Sequence, residues 1–248
     1  MAKEDYVKKV LSEIAPILKT TNPAEIIDEI AKRHKDLKTL SVDEQNLLGA
    51  ILGSLLHEGY CNGRKLDKPN EQGLPNNPRV KKLTEPIDQD FVASVVASGR
   101  TNGTTLFVED GVLCIDIANT PFASLSPYWQ KDNFMAGCAA TRSVMTFWNE
   151  INSDNEALRE FVAVAIANAI HESWIARENI YYDVVNGQVY TNEPLATSYI
   201  NLPQDEKDKD LLHYKMAIQM IDMLVAKMKE KNGPTSGGPS TPGQPGDN

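Results

Sequence analysis

The 248 residues fit one main domain with extensions, and a hydrophobic content of 41% is enough for a sizeable core. With 34 acidic against 25 basic residues the formal charge is -9, which repels polymeric nucleic acid and argues against DNA or RNA as a partner. No apolar run reaches the roughly 18 residues of a membrane span, and Met1 to Asp5 lack the basic-then-apolar layout of a secretion signal, so a cytoplasmic protein with no membrane partner is expected. Cys61, Cys114 and Cys138 are odd in number and never in a C-x-x-C arrangement, which predicts free thiols.

In chain order, Val7, Val10, Leu11, Ile14, Ile17 and Leu18 form a helical stripe that Pro16 is expected to bend or end. Asn22 before Pro23 caps a second helix with Ile26, Ile27, Ile30 and Ala31 on its apolar face. Residues 1–40 therefore read as an N-terminal helical extension, either a docking hairpin or a pair packed on the main core. Ser41 to Glu44 is a capping box that opens a third helix, apolar nearly all round, running to His57-Glu58-Gly59-Tyr60-Cys61 and expected at the centre. Residues 63–125 read as an insertion, its first part a proline-rich surface excursion with one helix from Asp88 to Ser98. Thr104 to Ile117 then predict a β-hairpin around Asp110-Gly111.

Ser126-Pro127 starts a helix expected to reach about Ile151, with Phe134, Ala139, Val144 and Phe147 buried. Asp154 or Asn155 caps the next, and Tyr181 to Tyr190 predict a second hairpin around Asn186-Gly187. Pro203 marks the start of a last helix carrying Met216, Ile218, Ile221 and Leu224. The domain so defined spans 41–230, and the Gly/Pro-rich residues 231–248 have the composition of a disordered tail.

Two of these helices look alike. Moving His57 onto His171, a shift of 114 residues, also moves Leu47 onto Phe161, Leu52 onto Ile166, Ser54 onto Asn168, Glu58 onto Glu172 and Tyr60 onto Trp174. The fold class expected is mainly α, with pseudo-twofold repeated helix pairs and one or two small β-hairpins in insertions. On the second helix, Phe161, Val164, Ala165, Asn168, His171, Glu172 and Ile175 fall at three-and-four spacing. A helix burying Phe161 and Val164 would carry His171 and Glu172 on the same side.

Two pieces stand out: His171-Glu172-Ser173-Trp174 after an apolar helix, and Pro194-Leu195-x-x-x-Tyr199-x-x-Leu202-Pro203-x-x-x-Lys207-x-x-Asp210. Together they resemble the RyR domain, a module repeated in ryanodine receptors and present alone in bacterial and phage proteins. Leu56-His57-Glu58-Gly59-Tyr60-Cys61 and Pro127-Tyr128-Trp129-Gln130 are similar to segments of phage-type relatives. The family's Gly-Trp-x-Tyr-Gly segment is replaced by Ile180 to Val185, its His-Pro by Glu193-Pro194 and its Pro-Tyr by Ser198-Tyr199. The resemblance implies a helical, pseudo-twofold domain that senses a small nucleotide-like molecule, in a bacterial or phage-infected cell and in a signalling or defence setting.

In such a site Trp174, Tyr60 or Trp129 would stack on a base, Arg177, Arg64 or Lys207 would meet phosphate, and Glu172 or Asn168 would bond base edges. His57, Glu58, His171 and Tyr199 complete the candidate ligand-binding set. The alternative is that His171, Glu172 and Trp174 satisfy each other in a core and fix helix pairing. No H-E-x-x-H spacing, nucleophile elbow, Walker loop or G-x-G-x-x-G stands beside them, so neither a metal, a cofactor nor a catalytic residue is expected. Two functions follow: a non-enzymatic module for a small nucleotide-like ligand, or a structural or protein-interaction accessory of phage or prophage origin, either of them open to homo-oligomerisation.

Overall fold

The computed structural model describes residues 3–66, 78–177, 182–183, 188–189 and 195–232. Helix α1 (Lys3–Thr20) passes through Pro16 without ending. Pro16 lies on the exposed side, while Val7, Val10, Leu11 and Ile14 are buried, so the packed stripe holds the helix where the proline alone would stop it. Helix α2 (Pro23–Arg33) is capped as expected, Asn22 Oδ1 accepting the Ala24 N–H at 2.9 Å. Helix α3 (Val42–Leu66) starts at the Ser41 capping box: the Ser41 N–H donates to Glu44 Oε2, and the Glu44 N–H to Ser41 Oγ. It runs five residues beyond Cys61.

The insertion holds β1 (Val80–Lys82), α4 (Gln89–Ala97), β2 (Leu106–Glu109) and β3 (Val112–Asp116). The Asp110-Gly111 hairpin forms, both turn residues taking positive φ, at 50° and 77°. Strand β1 adds to β3 on the other side, so the element is a three-stranded antiparallel sheet in the order β1-β3-β2 rather than a lone hairpin. Val80-Lys81-Lys82 carries no alternating pattern, and only the open edge of β3 recruits it. Leu83, Val95, Leu113, Ile115, Phe122 and Leu125 form the core beneath this sheet.

Helix α5 (Pro127–Thr146) stops short of the expected Ile151. Phe147, at φ -102° and ψ 23°, breaks it from the short α6 (Trp148–Ile151), and its side chain is 39% exposed rather than buried. Ala139 is half-buried, whereas Phe134 and Val144 are in the core. Helix α7 (Glu156–Arg177) is capped by Asn155, whose Oδ1 accepts the Leu158 N–H at 3.2 Å. Strands β4 (Tyr182–Asp183) and β5 (Gln188–Val189) pair antiparallel, in keeping with the second hairpin, although its Asn186-Gly187 turn lies outside the described residues. Helix α8 (Gln204–Asn232) follows Pro203, and the tail from residue 233 also lies outside the described residues.

Helix α5 packs against α1, α3, α7 and α8, and the main core joins α2, α3, α5, α7 and α8 around Ile30, Leu48, Ile51, Leu52, Ile166, Ile221 and Leu224. The N-terminal helices are therefore laid on the domain, α2 placing Ile26, Ile27, Ile30 and Ala31 in this core. The protein is mainly α with a small antiparallel sheet, and among the described residues no helix is long and apolar enough to cross a membrane. All three cysteines are buried free thiols.

Candidate functional site

The α7 stripe is one residue out of phase with the expectation. Val162, Ile166, Ala167, Ile170, His171 and Ile175 are buried, while Phe161 is 71% and Val164 55% exposed. The helix is apolar on two adjacent sides, and packing against α5 and α8 selects the side that ends in His171. The 114-residue shift survives this correction: buried Leu48, Leu52, Leu56, His57 and Cys61 of α3 correspond to buried Val162, Ile166, Ile170, His171 and Ile175 of α7.

Both histidines close the same kind of joint. His57 Nε2–H donates to the Thr120 carbonyl at 2.8 Å, and His171 Nε2–H donates to the Thr197 carbonyl at 2.8 Å. Because a carbonyl only accepts, both rings carry the proton on Nε2. Each threonine opens a Thr-x-aromatic-x-x-Leu segment, Thr120 to Leu125 and Thr197 to Leu202. In each, a 3-10 turn follows, Phe122–Ser124 or Tyr199–Asn201, closed by an N–H···O bond of 3.1 Å from Leu125 to Phe122 or from Leu202 to Tyr199. A helix then begins, and its fourth residue reaches back: Gln130 Nε2 donates to the Phe122 carbonyl, Lys207 Nζ to that of Ile200. An aromatic side chain three residues past each histidine lies beside its ring, Tyr60 at 6.2 Å and Trp174 at 5.8 Å between centroids. Neither threonine nor the turn was singled out in the sequence, although the shared Thr-x-aromatic-x-x-Leu spacing before a helix start was there to be read.

The two joints differ in their surroundings. Cys61 Sγ lies 3.4 Å from His57 Nε2, and Asp116 shapes the chain that brings in Thr120: its Oδ1 accepts the Ala118 N–H and its carbonyl the Thr120 hydroxyl. Burial holds the His57 pKa below the ordinary imidazole value, against the raising effect of the Thr120 bond. At the second joint Asp210 Oδ2 lies 3.7 Å from His171 Nδ1, and burial, then Asp210 and Asp208, push the Tyr199 phenol up.

Of the candidate ligand-binding residues, His171, Trp174, Tyr199 and Lys207 come together, with Lys207 Nζ 6.0 Å from the Tyr199 ring. His57 and Tyr60 form the other group, Arg64 lying 5.6 Å from the Tyr60 ring. Glu58 is exposed and lines a cleft, while Asn168 and Glu172 are half-buried on α7. Trp129 joins neither group but packs on the core beneath the inserted sheet, with Lys81 5.3 Å from its ring. The Arg177 side chain lies outside the described residues. The contacts just given share no residue between the two histidines, and among the described residues no cluster of three or more His, Cys, Asp or Glu is placed to hold a metal.

Two adjoining clefts flank the first joint. One, of about 1010 Å³, lies between α1, the inserted sheet and the Phe122 turn; the other, of about 690 Å³, reaches Ser54, Glu58 and Asn62 of α3. They share Lys19, Thr120, Pro121, Ala123 and Ser124.

The chain matches no family model, no curated protein and no solved structure.

Proposed function

We propose that the protein works by binding other proteins, as a non-enzymatic structural or interaction module. The histidines of its two His-Glu-x-aromatic segments are engaged in closing their own helix pairs, which supports an architectural role for them over a chemical one. The observation that carries the reading is the apolar surface of the second pair: Phe161, Val164 and Leu212 are 71%, 55% and 53% exposed. Single exposed aliphatic residues are ordinary, but a phenylalanine and a valine one helical turn apart form the start of a contact surface. A photo-cross-linking phenylalanine analogue at position 161, introduced in the producing cell, tests it. A discrete adduct at 161, absent when the analogue stands at Val108 on β2, is expected; equal labelling at both positions removes the reading.

A small nucleotide-like anion is the second reading, and the clefts beside the first joint favour it. Lys19 and Arg100 bring positive charge to the larger one, and Phe91 supplies an aromatic wall. The aromatic residues expected to stack on a base do not line it. Nucleotides, cyclic nucleotides and ADP-ribose at millimolar concentration should raise the melting temperature if this site binds them, since occupancy at a hundred times Kd adds about 2.7 kcal/mol. No shift with any of them rejects it.

A further inference from the structure

In the first repeat the outer face of the α3–α5 pair is covered. Val7, Val10, Leu11 and Ile14 of α1 pack on Ala50 of α3 and on Phe134 and Cys138 of α5, with Leu47 and Met135 at the margin. Asn46 Nδ2 donates to the Tyr6 hydroxyl at one end of this contact. The shift that takes His57 to His171 takes Leu47 and Ala50 to Phe161 and Val164. The shift that takes Thr120 to Thr197, 77 residues, takes Phe134, Met135 and Cys138 to Leu211, Leu212 and Lys215.

The helix pairs share their register as well as their ends. Gly53 of α3 meets Asn133 and Phe134 of α5, and its counterpart Ala167 of α7 packs near Leu211, the counterpart of Phe134. The face that α1 covers in the first repeat thus has a counterpart in the second, where Phe161, Val164 and Leu212 are open to solvent, half-buried Leu211 replaces Phe134 and exposed Lys215 replaces Cys138.

We propose that this second face is a docking face for an amphipathic helix of a partner protein, laid across α7 and α8 as α1 is laid across α3 and α5. The inference rests on reading the protein as an interaction module and specifies its partner. The chain's own α1 is engaged on the first face. Residues 233–248 contain no aliphatic side chain larger than proline and no aromatic one, so the tail cannot supply the stripe. The face also states what the incoming helix carries. Its stripe is aliphatic at the spacing of Val7, Val10, Leu11 and Ile14. Where Tyr6 meets Asn46, the second repeat presents exposed Glu160, so a basic residue belongs at that position of the partner, and exposed Lys215 in the place of Cys138 calls for a polar or acidic one beside the stripe.

The probe is a fluorescent peptide of residues 3–20 carrying Tyr6→Lys, titrated into the full-length protein and read by anisotropy. Saturable binding is expected, weakened at least about tenfold by Val164→Glu and by Phe161→Glu and unchanged by Val108→Glu. Because positions 161 and 164 are exposed, these variants keep the fold, which circular dichroism checks. Absence of saturable binding overturns the proposal. So does binding that Val164→Glu leaves intact, since the peptide would then be replacing α1 on the first face. A dimer that Phe161→Glu dissolves and the peptide cannot compete with would assign the face to a second copy of the chain, and the proposal would fall. Cross-linking at position 161 without peptide binding would retain the interaction module and reject its helical partner.

Discussion

Gly137 and Gly49 bring α5 and α3 so close that a Cβ added to Gly137 would stand 2.0 Å from the Gly49 carbonyl oxygen and 2.6 Å from the Gly53 nitrogen. The backbones themselves are in contact there, and any side chain must push the helices apart. Gly137→Ala is therefore expected to cost about 3 kcal/mol, near the upper end of overpacking effects. Gly59→Ala is the control in the same helix pair: a Cβ there meets nothing within 4 Å, and the substitution should stabilise by about 0.5 to 1 kcal/mol. Urea unfolding of the two variants measures both, and similar values would reject the close approach.

The two histidine joints should fail separately. His57→Ala and His171→Ala each leave a threonine carbonyl without its donor, at about 1 to 3 kcal/mol. As the two histidines have different partners, the double variant should lose the sum of the single losses within about 0.5 kcal/mol. A marked departure from additivity, seen in the same unfolding experiment, would mean that the joints act as one unit.

Acid should find the first joint through His57. Its folded pKa lies below the unfolded value of about 6.5, because burial opposes the charge. The unfolded chain then binds the proton first as pH falls. The stability of neutral His57 is complete above about pH 6.5 and declines below it, towards the folded pKa. His57→Gln, which cannot titrate, should reduce the loss of stability between pH 7 and 5. Asp88 works in the opposite sense. Its carboxylate accepts the Tyr128 N–H at 2.9 Å, but burial raises its pKa, so its contribution falls as pH rises above about 3.8. Wild type and His57→Gln with parallel pH profiles would exclude His57 as the group responsible.

Much of the fold was legible because helix starts are written in few residues. Asn22-Pro23, the Ser41–Glu44 box and Asp110-Gly111 each did what their chemistry demands. The pairing of His57 with His171 was legible too, as a shift in an apolar pattern. What they bind was not: Thr120 is 63 residues from His57, and Thr197 is 26 from His171, so proximity along the chain gave no cue. The phase of α7 was ambiguous because Phe161 and Val164 stand next to Val162 and Ile166, and only the position of α5 and α8 decides between them. The break at Phe147 has no proline or glycine to announce it. The clefts beside Thr120 depend on where α1 and the inserted sheet come to rest, which no local pattern encodes.

Cys138 is expected to be inert. Burial pushes its thiol up to about 12, and its sulfur fills the space against Gly49, where an added Cβ would lie 2.4 Å from it. Labelling by an alkylating reagent at pH 8 should be negligible until denaturant is added. Rapid labelling of the folded protein at Cys138, located by mass spectrometry, would show that α3 and α5 separate in the native state.

Asp116 makes the first joint different in kind from the second. It is the last residue of β3, its carboxylate also accepts the Arg79 N–H just ahead of β1, and its carbonyl receives the Thr120 hydroxyl. The inserted sheet, Asp116, Thr120 and His57 are therefore joined by consecutive bonds that reach α3. The insertion is thereby fastened to the first of two matching joints, on one of the two helices whose backbones meet at Gly49 and Gly137.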